Sequence, residues 1–151
     1  MKAKLLIPLT AFGLIVAMAI YFLTNPSYEK SLEAKYHFET GSYEKAYELA
    51  NEAFSMDVYN RMASTIMAQS KTALKYVKYV NQAKEYMRRI NDIAAQQSIS
   101  DADRAKIKMM SEIMTDSYVK LAPSVITDRA LVQEAAAYHK NFEQLLEKVN
   151  K

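Results

Sequence analysis

The chain of 151 residues contains no cysteine and no tryptophan, and it has only two glycines, three prolines and two histidines. Without cysteine it can form neither a disulfide nor a thiolate metal site, and it has no cysteine nucleophile. This absence fits an oxidising compartment without indicating one. Because residues that break helices are so rare, while alanine, glutamate, lysine, methionine and leucine dominate, the composition predicts an all-α fold.

The chain also lacks motifs on which catalysis and cofactor binding commonly depend. It has no Gly-x-Ser-x-Gly segment, no glycine-rich phosphate loop and no pair of closely spaced zinc ligands. Its two histidines, His37 and His139, lie far apart in the sequence. We therefore expect no enzyme activity, no cofactor and no metal site.

The overall charge is close to balanced, with 20 basic and 17 acidic side chains. Two of the basic residues, Lys2 and Lys4, come before any acidic residue, so the rest of the chain is almost neutral. Nucleic-acid binding usually requires a strong basic excess or a basic stripe. We therefore expect no nucleic acid among the partners.

Residues 5–23 carry no charge and directly follow the short basic start. A helix of this length extends about 28 Å, close to the ~30 Å hydrocarbon core of a bilayer. A cleaved signal peptide usually has a shorter apolar stretch before a small-x-small cleavage site. Here the triplet Ala17-Met18-Ala19 is followed by further apolar sequence, so residues 1–25 are predicted to be a cytoplasmic stub and a retained transmembrane signal anchor.

Positive charges predict how the anchor is oriented. Lys2, Lys4 and the amino terminus precede the apolar run, whereas the charges just after it nearly cancel. We therefore expect a single-pass protein of the bacterial inner membrane whose amino terminus is cytoplasmic. Residues 26–151 would then form an extracytoplasmic helical domain, in the periplasm of a Gram-negative cell.

Turn-forming segments divide the rest of the chain into helices. Asn25-Pro26-Ser27 precedes a helical hairpin at residues 28–57, with Ser27 as the expected N-cap, and Thr40-Gly41-Ser42 forms the turn between its two helices. A long helix is predicted over 58–96, a helix capped by Ser100 and Asp103 over 100–121, and a last helix over 124–149. The prediction is thus one transmembrane helix followed by a bundle of about five helices.

The hairpin resembles a tetratricopeptide repeat. The turn and second helix, Gly41-Ser42-Tyr43-Glu44-Lys45-Ala46, are followed by alanines at the spacing of such repeats, in which glycine makes the turn and small residues lie where the helices approach. The signature residues are Ala34, Gly41, Tyr43, Ala46 and Ala53. By this resemblance the hairpin is expected to bind proteins.

The resemblance covers residues 28–60 only, as a single degenerate repeat. The first helix has no Trp-x-x-Leu-Gly, Val58 replaces the closing proline, and no second turn follows one period of about 34 residues later. A generic helical hairpin is the alternative interpretation. Whether a second repeat follows residue 58 is left open.

Two further features are candidate partner-binding surfaces. Basic residues of the long helix could meet an acidic protein or anionic lipid headgroups, although a solvated helix face is the alternative. The apolar seam of the last helix needs a covering surface, and self-association is one way to provide it. The candidate residues are Arg61, Lys71, Lys75, Lys78 and Arg89 in the long helix and Tyr138 and Phe142 in the seam.

These features together predict a non-enzymatic, membrane-anchored periplasmic scaffold or adaptor that binds proteins in or at the inner membrane. One alternative is a structural accessory subunit of an envelope machine such as the flagellar motor. Another is a chaperone-like helper at the secretion translocon. A scaffold exchanges its partners, a subunit of a machine keeps one permanent partner, and a chaperone-like helper binds unfolded clients.

Overall fold

The computed structural model describes the backbone of residues 2–150 and the side chains of residues 7–21 and 24–150. Over these residues the chain forms six helices and no strand, which confirms the predicted all-α fold. The helices are α1 (Lys2–Thr24), α2 (Pro26–Glu39), α3 (Tyr43–Met56), α4 (Arg61–Ala94), α5 (Asp101–Val119) and α6 (Arg129–Val149). The chain divides into two compact units, Met1–Ser70 and Lys71–Lys151.

α1 is apolar on all sides, and the side chains from Ile7 to Tyr21 are all exposed. Within the described residues, no single helix is long and apolar enough to cross a membrane. Ile7–Tyr21 and Pro26–Glu39 meet that condition only as a pair, bent by 72°. The predicted anchor at residues 5–23 lies partly outside the described side chains, and it stays a prediction.

α2 begins at Pro26, two residues before the start that a cap at Ser27 would give. Pro26 is in the first turn, and the Asn25 side chain accepts the N–H of Ser27 at 3.0 Å. The prediction of Ser27 as the N-cap is therefore wrong. Asparagine caps well, and proline fits the first helical position because it lacks the N–H that would have no partner there.

In the first unit, α2 and α3 form the predicted hairpin, and the beginning of α4 packs on it. Gly41 makes the turn with φ of +81°, and the N–H of Ser42 reaches the carbonyl of His37 at 2.8 Å. The core combines small residues of the hairpin with Ile66 of α4. Its buried members are Ala34, Ala46, Leu49, Ala50 and Ile66, with Phe38, Met62 and Met67 packed against them.

A turn separates α3 from α4, where the sequence predicts a helix from residue 58. The Asp57 side chain accepts the N–H of Tyr59 at 2.9 Å, and the N–H of Asn60 bonds the Asp57 carbonyl at 3.1 Å. Asn60 then caps α4, because its Oδ1 accepts the N–H of Ala63 at 3.1 Å. Residues 58–60 are compatible with a helix in sequence, but they form a turn, and α4 begins only at Arg61.

The second unit contains the rest of α4 together with α5 and α6, around one core. Ser100 caps α5 by accepting the N–H of Asp103 at 3.2 Å, as predicted. α6 begins at Arg129 rather than at residue 124, because the Thr127 hydroxyl accepts the N–H of Ser124 in a turn. The buried core residues are Tyr76, Tyr79, Val80, Ala83, Ile90, Ile107, Met110, Met114, Ala135 and Phe142.

Tyr79 brings a polar group into this core without a partner among the described residues. Its ring is buried beside Tyr118, and its hydroxyl has no hydrogen bond. Burial raises the pKa of Tyr79 from 10.0 to about 12. The folded state therefore resists ionisation, while the unfolded chain ionises near the ordinary pKa.

Replacing Tyr79 by phenylalanine is expected to leave stability at neutral pH unchanged or to raise it by up to ~1 kcal/mol, because an unpartnered buried hydroxyl is removed. Below pH 10.0 the Tyr79 hydroxyl is protonated in both states and this residue's contribution to stability is complete. Between pH 10.0 and about 12 the unfolded chain loses this proton more readily than the folded chain, so the free energy of unfolding falls. Tyr79→Phe should therefore lose less stability between these pH values, measured by denaturant unfolding. Tyr36→Phe, at an exposed position, is the matched control. A steeper alkaline loss in Tyr79→Phe would contradict the prediction.

Candidate protein-interaction surface

The alanines of the repeat signature lie where α2 and α3 approach each other. Ala34, Ala46 and Ala53 have no exposed surface. Because an alanine side chain is a single methyl group, it lets two helix backbones come close together. The carbonyl of Ala53 also accepts the Ser27 hydroxyl at 2.8 Å, which binds the two helices at one end.

The other two signature residues lie at the opposite end of the hairpin. Gly41 has a positive φ of +81°, and the Tyr43 ring packs edge-on against Phe38 with ring centroids 5.5 Å apart. This aromatic contact closes the turn end of the hairpin. Buried alanines, a glycine turn and an aromatic contact are also expected in other closely packed helical hairpins. The tetratricopeptide resemblance therefore stays a prediction.

Replacing Gly41 by valine is expected to lower the free energy of unfolding of the first unit by about 1–3 kcal/mol. The reason is the backbone, because a Cβ at Gly41 would meet nothing within 4 Å while φ is +81°. Partner recovery should fall and membrane fractionation should not change. Gly41→Asn is the control, since asparagine tolerates this conformation far better. Equal stability of the valine and asparagine variants would show that the turn conformation is unimportant.

A buried polar network links the start of α2, the end of α3 and the cap of α4. Asn60 is fully buried, and its Nδ2 donates to the Oγ atoms of Ser27 and Ser31, both at 2.8 Å. The Ser31 hydroxyl donates to the Ser27 carbonyl at 2.8 Å. With Oδ1 bonded to the N–H of Ala63, every polar atom of the Asn60 side chain has a partner.

The sequence offered one signal for this network, because asparagine is a preferred N-cap residue. It gave no signal for the partners, since Ser27 and Ser31 lie 33 and 29 residues away. Only the packing of the hairpin brings these hydroxyls to the start of α4. The network therefore positions the hairpin relative to the beginning of α4.

Three of the predicted basic residues form an exposed row on α4. Lys71, Lys75 and Lys78 are exposed, and their spacing of four and three residues places them on one helix face. Among the described side chains, none of the three forms an ion pair. We call these residues the lysine row.

The other basic residues of α4 differ from the lysine row. The Arg89 Nε donates to Glu85 Oε1 at 2.8 Å, and Arg88 also bonds Glu85. These two arginines lower the pKa of the Glu85 carboxyl. Lys84 pairs with Glu134 of α6 at 2.9 Å. Arg61 is exposed at the first residue of α4, in the first unit.

The apolar seam of α6 is buried inside the second unit at Phe142. Phe142 is 0% exposed in the core of the second unit, where α4 and α5 surround it. The prediction that Phe142 binds a partner therefore does not hold for this structure. Tyr138 is half-buried against the same core, and it lines a shallow cavity of about 280 Å³ with Glu134, Ala137 and Asn141.

Metal ligands do not converge in the described part of the chain, where no group of three His, Cys, Asp or Glu side chains is arranged to hold an ion. The partner-binding roles predicted for the hairpin, the lysine row, Arg61, Arg89 and Tyr138 stay predictions. Comparison with protein-family models, curated proteins and solved structures found no match for this chain.

Proposed function

We propose that the protein is a non-enzymatic scaffold or adaptor, anchored in the bacterial inner membrane by residues 5–23, whose helical domain binds protein partners in the periplasm. The observation that carries the proposal is the exposure of α1. Its side chains from Ile7 to Tyr21 are nearly all apolar, and every one of them is exposed. A helix that is apolar all round needs protein or lipid to cover it.

Lipid is the covering that fits the length of α1. The uncharged run of residues 5–23 extends about 28 Å as a helix, close to the ~30 Å hydrocarbon core of a bilayer. Its described part, Ile7–Tyr21, is shorter than a full span. Soluble proteins rarely expose contiguous apolar patches larger than a few hundred Å². The basic residues Lys2 and Lys4 precede the helix, which favours a cytoplasmic amino terminus.

The distribution of charge indicates the kind of partner. Residues 24–70 carry four basic and seven acidic side chains, whereas residues 71–151 carry fourteen basic and ten acidic ones. The lysine row belongs to this basic part and forms no ion pair with the described acidic side chains. It is therefore suited to an acidic surface on a partner protein, which would raise the association rate through electrostatic attraction.

Reporter fusions test the anchor and its orientation. Alkaline phosphatase fused after Lys151 should be active in cells, and the full chain should resist carbonate extraction. A variant without residues 2–24 should leave the membrane fraction. An inactive phosphatase with an active cytosolic reporter at the same position would overturn the proposal, as would a mature chain that begins beyond residue 19.

Charge reversal tests the lysine row. Lys71→Glu, Lys75→Glu and Lys78→Glu in one chain are expected to lower crosslinked partner recovery from intact cells about tenfold. The control reverses Lys108, Lys120 and Lys140, which are exposed and lack ion pairs among the described residues. Both variants change the net charge equally, so equal losses would exclude a specific role for the lysine row.

The same crosslinking experiment separates the proposal from its alternatives. A single complex of fixed stoichiometry favours a structural subunit of an envelope machine such as the flagellar motor. Many substoichiometric unfolded clients favour a chaperone-like helper at the translocon. A small set of folded, exchangeable partners supports the scaffold.

A further inference from the structure

Three apolar side chains are exposed together where α3 ends and α4 begins. Met56, Val58 and Tyr59 are 49%, 60% and 88% exposed. Asp57, between them, has its carboxylate engaged in the turn, where it accepts the N–H of Tyr59 at 2.9 Å. The segment therefore presents an apolar tip, formed by Met56, Val58 and Tyr59.

Hydrogen bonds hold the apolar tip beside the end of α1. Asn60, which follows Tyr59 directly, donates from Nδ2 to the Ser27 hydroxyl at 2.8 Å. That hydroxyl donates to the carbonyl of Ala53 at 2.8 Å, near the end of α3. Ser27 lies only three residues after Thr24, the last residue of α1. The tip thus adjoins the point where the chain leaves the apolar helix.

With α1 across the bilayer, as proposed, this point lies at the bilayer surface. The axes of Ile7–Tyr21 and Pro26–Glu39 differ by 72°, so α2 runs nearly parallel to the membrane plane when α1 crosses it. In the last turns of α1, the Tyr21 hydroxyl accepts a hydrogen bond from Asn25 at 3.3 Å. Tyrosine is enriched at the headgroup level because its ring is apolar and its hydroxyl is polar.

We infer that the apolar tip is a second membrane contact, in which Val58 and Tyr59 enter the lipid headgroup region beside the end of α1. This inference rests on the proposed membrane anchor and extends it. A single anchoring helix leaves the hairpin free to rotate about the tether. The second contact holds one end of the hairpin against the lipid, so the Gly41 end is presented away from the anchor to partners.

Lipid suits the apolar tip better than a protein partner because of where the tip lies. A protein would have to approach between the hairpin and the bilayer to reach residues beside the exit of α1. Lipid headgroups are already present at that level. Apolar and aromatic side chains inserted at this depth bind in proportion to the apolar area that they bury.

Single tryptophans can report the position of the tip, because the chain contains no tryptophan of its own. Tyr59→Trp is made in the full chain and reconstituted into vesicles of phosphatidylethanolamine and phosphatidylglycerol, with or without brominated acyl chains. Tyr21→Trp reports the anchor, and Tyr36→Trp reports an exposed position near the other end of α2. Tyr21 and Tyr36 are 59% and 64% exposed, so both substitutions should be tolerated.

Brominated lipid is expected to quench Tyr59→Trp emission about twofold, with a blue-shifted maximum, and to quench Tyr36→Trp clearly less, because only the tip enters the headgroup region. Quenching of Tyr21→Trp without Tyr59→Trp would overturn the second contact while the anchor stands. Quenching of neither would overturn the anchor and this inference together. Equal quenching of Tyr59→Trp and Tyr36→Trp would show that the whole hairpin lies on the bilayer, which also overturns a contact specific to the tip.

Discussion

Replacing Phe142 by alanine is expected to lower the free energy of unfolding of the second unit by about 3–5 kcal/mol. Phe142 is fully buried and is among the largest side chains in the structure with no exposed surface. It lies in one core with Tyr79, Ile107 and Met114. Alanine would remove most of the ring and leave a cavity that the surrounding helices fill only in part.

Hydrogen exchange and denaturant unfolding measure this effect. Amides of α5 and α6 should exchange faster in Phe142→Ala, whereas those of α2 and α3 belong to the other unit and should change little. Tyr138→Ala, one turn earlier at a half-buried position, is the control and should cost less. If both variants unfold alike, Phe142 does not contribute to the core as the packing indicates.

Replacing Asn60 by leucine is expected to destabilise the first unit by about 3 kcal/mol, from the lost cap and lost buried hydrogen bonds. The N–H of Ala63 would lose its acceptor in a buried position, since Ala63 has no exposed surface. The hydroxyls of Ser27 and Ser31 would lose the amide that donates to them. Leucine matches asparagine in branching and in the number of side-chain heavy atoms, so the loss does not come from an empty space.

A double-mutant cycle separates the network from the cap. Asn60→Asp keeps an acceptor for Ala63 but removes both donated hydrogen bonds, and Ser27→Ala removes one of their acceptors. Because Asn60 and Ser27 are in direct contact, the two substitutions should couple by about 1 kcal/mol or more. Additive effects in thermal or denaturant unfolding would mean that Asn60 acts as a cap alone.

Local signals were sufficient for several elements. Gly41 predicted the hairpin turn because few other residues tolerate its φ of +81°. Ser100 and Asp103 predicted the start of α5, since capping depends on residues three apart. The beginnings of α4 and α6 were missed, because each follows a turn built from residues that are also compatible with a helix.

Packing decided which candidate surfaces remain exposed. Periodicity placed Phe142 on an apolar face but could not say that α4 and α5 cover that face. It placed Arg89 among basic residues but did not show the bond to Glu85 that distinguishes it from the lysine row. The lysine row itself was predicted because spacing along one helix is a local property.

By itself, the sequence determined an all-α chain with an apolar first helix and a glycine turn at Gly41, because these follow from composition and from neighbours along the chain. Only the tertiary structure decided that Asn60 joins Ser27 and Ser31, that Phe142 is internal, and that an apolar tip adjoins the end of α1. Each of those depends on residues far apart in sequence. Their proximity is set by how the helices bury their faces, which no local pattern contains.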